Sequence, residues 1–81
     1  MSQQIKNTEL LSAVAKRLKN LRSEKSLSQE IVYNDTEIHI ARIETGKFNI
    51  SISTLNALCD YYSISLEKFF SEGFENVQTK P

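Results

Sequence analysis

The side chains that could do covalent or metal chemistry stand alone in this chain. His39 is the only histidine and Cys59 the only cysteine among 81 residues. No zinc-binding set and no intrachain disulfide can be assembled from them. No nucleophile–base pair, carboxylate pair or phosphate loop is visible, so no catalytic residue, metal ligand or cofactor is expected and the chain does not read as an enzyme. The chemistry on offer is non-covalent. Ser28-Gln29-Glu30 reads as a helix start with Ser28 as N-cap, and a helix start turns unpaired N–H groups and a positive partial charge outward, which suits it to gripping a phosphate. His39 reads as helix cap or outward-facing surface, and Cys59 as a small buried hydrophobe.

These residues need short helices to position them. Leu11, Val14, Leu18 and Leu21 recur at helical spacing, with Thr8 as the expected cap and an end near Lys25. Lys16, Arg17, Lys19 and Arg22 are expected on that helix's outer surface. A second helix from Ser28 is expected to be brief, because Asn34-Asp35-Thr36 favour turns and caps. A third contains Ile40 and Ile43 and stops at Gly46. Ile50 and Ile52 are spaced to pack inward. Ser53 is the expected cap of a fourth helix bearing Leu55, Leu58, Cys59 and Tyr62, and Ser65 that of a fifth bearing Leu66, Phe69 and Phe70. The expected organisation is all-α and single-domain: a flexible N-terminus over residues 1–7, five helices over 8–71 and a disordered tail over 72–81.

Composition sets the outer limits. Forty per cent hydrophobic and 25% charged residues describe an ordinary globular chain. No apolar run approaches the roughly 20 residues needed to span a bilayer. Met1-Ser2-Gln3-Gln4-Ile5-Lys6 lacks the apolar centre of a signal peptide, so no membrane association and a cytoplasmic location are expected. The net charge is zero, yet unevenly placed: eight Lys/Arg face six acids over residues 1–47, and two lysines face four acids beyond. That asymmetry gives weak support to a polyanionic partner.

Five segments in register carry a family resemblance. Leu18-Lys19-Asn20-Leu21-Arg22, Leu27-Ser28-Gln29-Glu30, Arg42-Ile43-Glu44-Thr45-Gly46-Lys47, Ser53-Thr54-Leu55 and Ile64-Ser65-Leu66-Glu67-Lys68-Phe69-Phe70 together resemble the Xre family of helix-turn-helix regulators, which includes the lambda-type repressors. The resemblance spans about residues 10–70. It implies a lambda-repressor-like domain with the helix-turn-helix at about 28–46, its third helix in the major groove of double-stranded DNA. The implied DNA contacts are Ser28, Gln29, His39, Ile40, Arg42, Thr45, Lys47 and Asn49. Arg42 resembles a base-reading position, Gln29 a DNA contact at the helix start, and Lys47 and Asn49 phosphate contacts. Arg22 and Glu44 occupy the positions of a partly buried ion pair joining the first and third helices. The implied function is a transcriptional regulator, as a repressor dimer on a short palindrome, with the dimer contact on the fifth helix around Leu66, Phe69, Phe70 and Phe74. Tyr33, Tyr62, Phe69 and Phe70 are expected in the core or at that interface. Antitoxins, with a toxin as second partner, and restriction–modification controller proteins resemble the same plan.

One departure bears on function. Between Ser28-Gln29 and Glu44-Thr45-Gly46 the family has about three more residues, close to one helical turn. Either Glu37-Ile38-His39 is the turn and the third helix loses its start, or Thr36 caps a third helix beginning at Glu37. The first is preferred, because Ile38-His39 resembles the family's apolar-then-polar approach to the third helix. Position 37 lacks the glycine typical of this turn. The shortening and the zero net charge also motivate a reading of another class, a protein-interaction module on a helix-turn-helix that no longer binds DNA.

Overall fold

Asn7, not Thr8, begins the first helix. Its side-chain oxygen accepts from the Leu10 N–H at 3.0 Å, so Thr8 becomes the first helical residue of α1, Thr8–Glu24. The computed structural model describes residues 5–77; the remainder of the expected flexible start and tail lies outside them. Leu11, Val14, Ala15, Leu18 and Leu21 form the buried stripe of α1. Ser26, at φ 56°, ends the run by turning left-handed.

Four shorter helices close over that stripe: α2 (Gln29–Thr36), α3 (Ile40–Ile43), α4 (Ile52–Tyr61) and α5 (Leu66–Phe69). Ser28, Ser51 and Ser65 each cap a helix by accepting a backbone N–H three residues on. The fourth helix thus starts two residues before the expected Ser53. That shift leaves Ile52 69% exposed, although Ile50 packs against the core as expected. The core is a single cluster centred on Leu18, Val32, Leu55, Leu58, Tyr62 and Phe69. Cys59 lies inside it, and burial pushes its thiol pKa up, which keeps it in the unreactive protonated form.

The second helix does not stop at Asn34. It runs to Thr36, whose hydroxyl donates to the Val32 carbonyl at 2.8 Å and accepts from the Ile38 N–H at 3.0 Å. Thr36 therefore serves the last turn and the exit at once. Glu37 then ends the helix in the left-handed region, at φ 61° and ψ 17°, with its N–H on the Tyr33 carbonyl at 2.7 Å. The missing turn therefore falls in the third helix, which begins at Ile40 and has four residues.

A left-handed non-glycine residue carries strain. Glu37→Gly is expected to stabilise the chain by about 1 kcal/mol, a rise of about 4–8 °C in melting temperature. A fall in Tm on thermal unfolding would show that the Glu37 side chain contributes more than its backbone costs.

Two other expectations need correction. Arg17 is buried rather than on the surface: its Nε donates to the Phe69 carbonyl at 2.9 Å and its Nη2 to the Lys68 carbonyl at 3.2 Å, so it caps the end of α5 from within α1. Its Nη1 lies 3.3 Å from Glu72. The chain beyond α5 also packs: Phe74 rests on Phe69 and Phe70, with ring centroids 5.8 and 4.8 Å apart. Phe74 and Val77 are the large apolar side chains of residues 72–81, too few to signal packing in the sequence.

Candidate nucleic-acid interface

Glu44 organises the interface from beneath. Its side chain is 3% exposed and follows directly on α3. Oε2 accepts from Arg22 Nε at 2.7 Å and Oε1 from Arg22 Nη2 at 3.0 Å, a two-pronged pair to α1. Oε1 also accepts from Gln29 Nε2, at the first residue of α2, at 2.8 Å. One carboxylate thus ties together the long helix, the start of α2 and the end of α3. The ion pair expected between Arg22 and Glu44 is present, and Gln29 as its third member is an addition. Arg22 Nη1 donates to the Leu27 carbonyl at 2.7 Å, so the guanidinium also fixes the loop leading into α2. The hydrogen bond that Arg22 donates to Glu44, ahead of the opposing effect of burial, raises the pKa of Arg22 and keeps it charged.

Tyr62 sits at the floor of this clamp. Its residue is 1% exposed and its hydroxyl has no hydrogen-bond partner. Burial, followed by the negative charge of Glu44, pushes its pKa from 10.0 up to about 12. Below the unfolded value the phenol is neutral in both states. As pH rises from 10.0 towards about 12, the unfolded chain ionises first, so stability falls through that window. Tyr62→Phe is expected to leave the chain at least as stable at neutral pH, because it removes an unpartnered buried hydroxyl. It should also flatten the alkaline loss in urea titrations compared across that range. An unchanged alkaline slope would contradict the assignment.

The expected contact residues divide into three groups. Ser28, His39, Arg42, Thr45 and Lys47 lie at the surface. Gln29 and Asn49 are half-buried and held: Gln29 by Glu44, and Asn49 by donating its Nδ2 to the Ile5 carbonyl at 3.0 Å. A glutamine amide nitrogen has a second N–H, so Gln29 can be pinned on one side and still donate outward. Ile40 cannot serve: it is 1% exposed and belongs to the core. Ile43, three residues on, is buried beside it, so the two form the inward face of the four-residue helix.

Two exposed aromatic residues outside the expected contact set occur on this face. Tyr33, expected in the core or at a dimer contact, is exposed and lies against His39, with ring centroids 4.9 Å apart and planes tilted 34°. Phe48 is exposed and lies under the Arg42 guanidinium, Cζ to centroid 5.9 Å. The signal for Phe48 was its position: an unpaired aromatic between Lys47 and Asn49 in a polar stretch.

Gly46 fixes the angle of the whole face. Its φ is 79°, and a Cβ there would stand 3.3 Å from Ser12 Cα and Oγ on α1. The turn after α3 therefore lies directly on the long helix. Among the described residues, no group of three or more His, Cys, Asp and Glu residues could hold a metal ion, and no helix is long and apolar enough to cross a membrane.

Comparison with family models gives a match over residues 17–71 to the Cro/C1-type HTH DNA-binding domain. The match takes in α2, α3 and the clamp beneath them. Comparisons with curated proteins and with solved structures gave no match.

Proposed function

Because the chain belongs to the Cro/C1-type helix-turn-helix DNA-binding family, we propose that it is a transcriptional repressor that binds a short palindromic duplex as a homodimer. Ser28, with the first N–H groups of α2, grips a phosphate, and Gln29 adds a donor beside it. Lys47 meets the backbone on the other side of α3, and Arg42 reads a base edge in the major groove. The observation that carries this reading is the Glu44 clamp, which holds the start of α2 and the end of α3 in one fixed relation. Asn49 supports the surface indirectly, by anchoring the chain at Ile5 next to the Lys47 turn.

Four reading-helix residues offer few contacts, which supports doubling the site. An apolar groove lined by Ile5, Leu10, Ile52, Leu55 and Phe70 supports a self-contact near α5. Phe69 is not available for it, being wholly buried in its own core. Ile5, Leu10, Ile52 and Phe70 are the exposed side chains of that groove that would meet a second copy. Selection from a pool of random duplexes tests the proposal. Enrichment of two inverted half-sites about 10 bp apart, centre to centre, is expected. Recovery of no common sequence would refute it.

The four-residue α3 and the zero net charge favour one second reading, a protein-interaction module in which the same face meets a protein. Antitoxins combine both activities. A duplex-binding experiment at low salt separates the two readings, because a module without DNA affinity retains no duplex at all.

A further inference from the structure

The shortened third helix places an unusual demand on one side chain. Of its four residues, Ile40 and Ile43 are buried, which leaves Ala41 and Arg42 facing outward. Arg42 is the only one of the four with hydrogen-bond donors on its side chain. An arginine side chain is long and flexible, and part of its rotamer freedom is lost when it docks on a base. A reader with one fork benefits from having it held in place before binding.

The turn after α3 supplies such a hold. The Thr45 hydroxyl donates to the Arg42 carbonyl at 2.6 Å and accepts from the Lys47 N–H at 3.2 Å. The Ile50 N–H donates to the Phe48 carbonyl at 2.9 Å. With Gly46 turned left-handed against α1, these bonds shape the turn of residues 45–50 that follows α3. Phe48 comes to rest under the Arg42 guanidinium, 5.9 Å from Cζ to ring centroid, while 40% exposed. That distance lies inside the range of cation–π attraction. A guanidinium attracted to a ring face keeps its in-plane N–H donors free at the edge, and a paired acceptor edge such as guanine O6/N7 needs those donors.

We propose that Phe48 is a positioning residue for Arg42 and that it determines sequence specificity, with the base read being a guanine in the major groove. This rests on the DNA-binding reading above. Phe48 acts through the arginine and need not touch the DNA itself. Its effect should therefore fall on discrimination between sequences more than on affinity for duplex in general.

The test uses the full chain and a duplex recovered by selection, paired with the same duplex carrying adenine in place of the guanine. Wild type is expected to prefer the guanine duplex by roughly five- to 150-fold. Phe48→Ala should lose most of that preference while binding the adenine duplex about as wild type does. Phe48→Tyr, which keeps the ring face, should retain the preference, and Phe48→Leu, which keeps bulk without the ring face, should not. Full preference in Phe48→Ala, or rescue by Phe48→Leu, would overturn the proposal. So would an equal loss on both duplexes, the mark of a structural or phosphate-contact role. Arg42→Lys, with charge but no planar fork, is expected to behave like Phe48→Ala. Failure of wild type to retain any duplex would overturn the DNA-binding reading as well. Duplex binding without a guanine preference would overturn this proposal alone.

Discussion

Glu44→Ala should remove a large part of the chain's folding stability. The substitution leaves the Arg22 guanidinium, 13% exposed, with a single carbonyl partner at Leu27. It also removes the acceptor that holds Gln29. Removing one member of a buried pair costs about 3–5 kcal/mol, chiefly because the remaining charge stays buried without compensation. A domain of this size has of order 4–12 kcal/mol in total, so the loss takes much of what is available. Urea titration should show the midpoint falling steeply. A cost under about 1 kcal/mol would mean that the pair is far better solvated than its burial indicates.

The paired replacement Arg22→Met with Glu44→Leu separates folding from positioning. Two apolar side chains of similar size can match or exceed a buried ion pair in stability. That variant should fold well and still bind DNA less tightly, because nothing holds the Gln29 amide. If it bound as tightly as wild type, the clamp would be architectural and no more.

Arg42→Ala should produce the second large effect. Loss of a two-pronged contact to guanine costs about 1–3 kcal/mol of discrimination at each half-site, and a dimer loses it twice. The loss should concentrate on the selected sequence, with random duplex binding much less affected. Lys47→Ala should do the reverse: it should weaken every duplex to a similar degree and lower the salt slope by about 1 per protomer. Competition assays with selected and random duplexes distinguish the two. Equal behaviour of both variants would place Arg42 on phosphate rather than on a base.

Much of this arrangement was legible in the residues. Period and caps located the helices, since serine caps and a left-handed glycine carry their chemistry locally: Ser28, Ser65 and Gly46 all serve as expected. The Arg22–Glu44 pair was legible only through family resemblance, because nothing in 22 residues of separation announces a contact. Cap choice between like neighbours was not legible. Ser51 and Ser53 are the same residue type and have the same intrinsic preference, whereas Asn7 over Thr8 follows the ranking of asparagine above threonine at a cap. Arg17 misled because an arginine at a helical core position looks like surface until the carbonyls at the end of α5 are seen to need a donor. Ile40 misled for a related reason. The resemblance carried a contact role onto it, but Ile40 stands three residues from Ile43, and that spacing puts both on the buried face of α3.

Titration of the selected duplex with the full chain across a salt series is the most direct check on the interface built from Ser28, Gln29, Arg42 and Lys47. The expected result is tight binding at low salt that falls linearly on logarithmic axes as salt rises, with a shallower line for Lys47→Ala. Affinity that is indifferent to salt, or that survives unchanged in the Lys47→Ala, Arg42→Ala double variant, would contradict the claim that this face meets DNA.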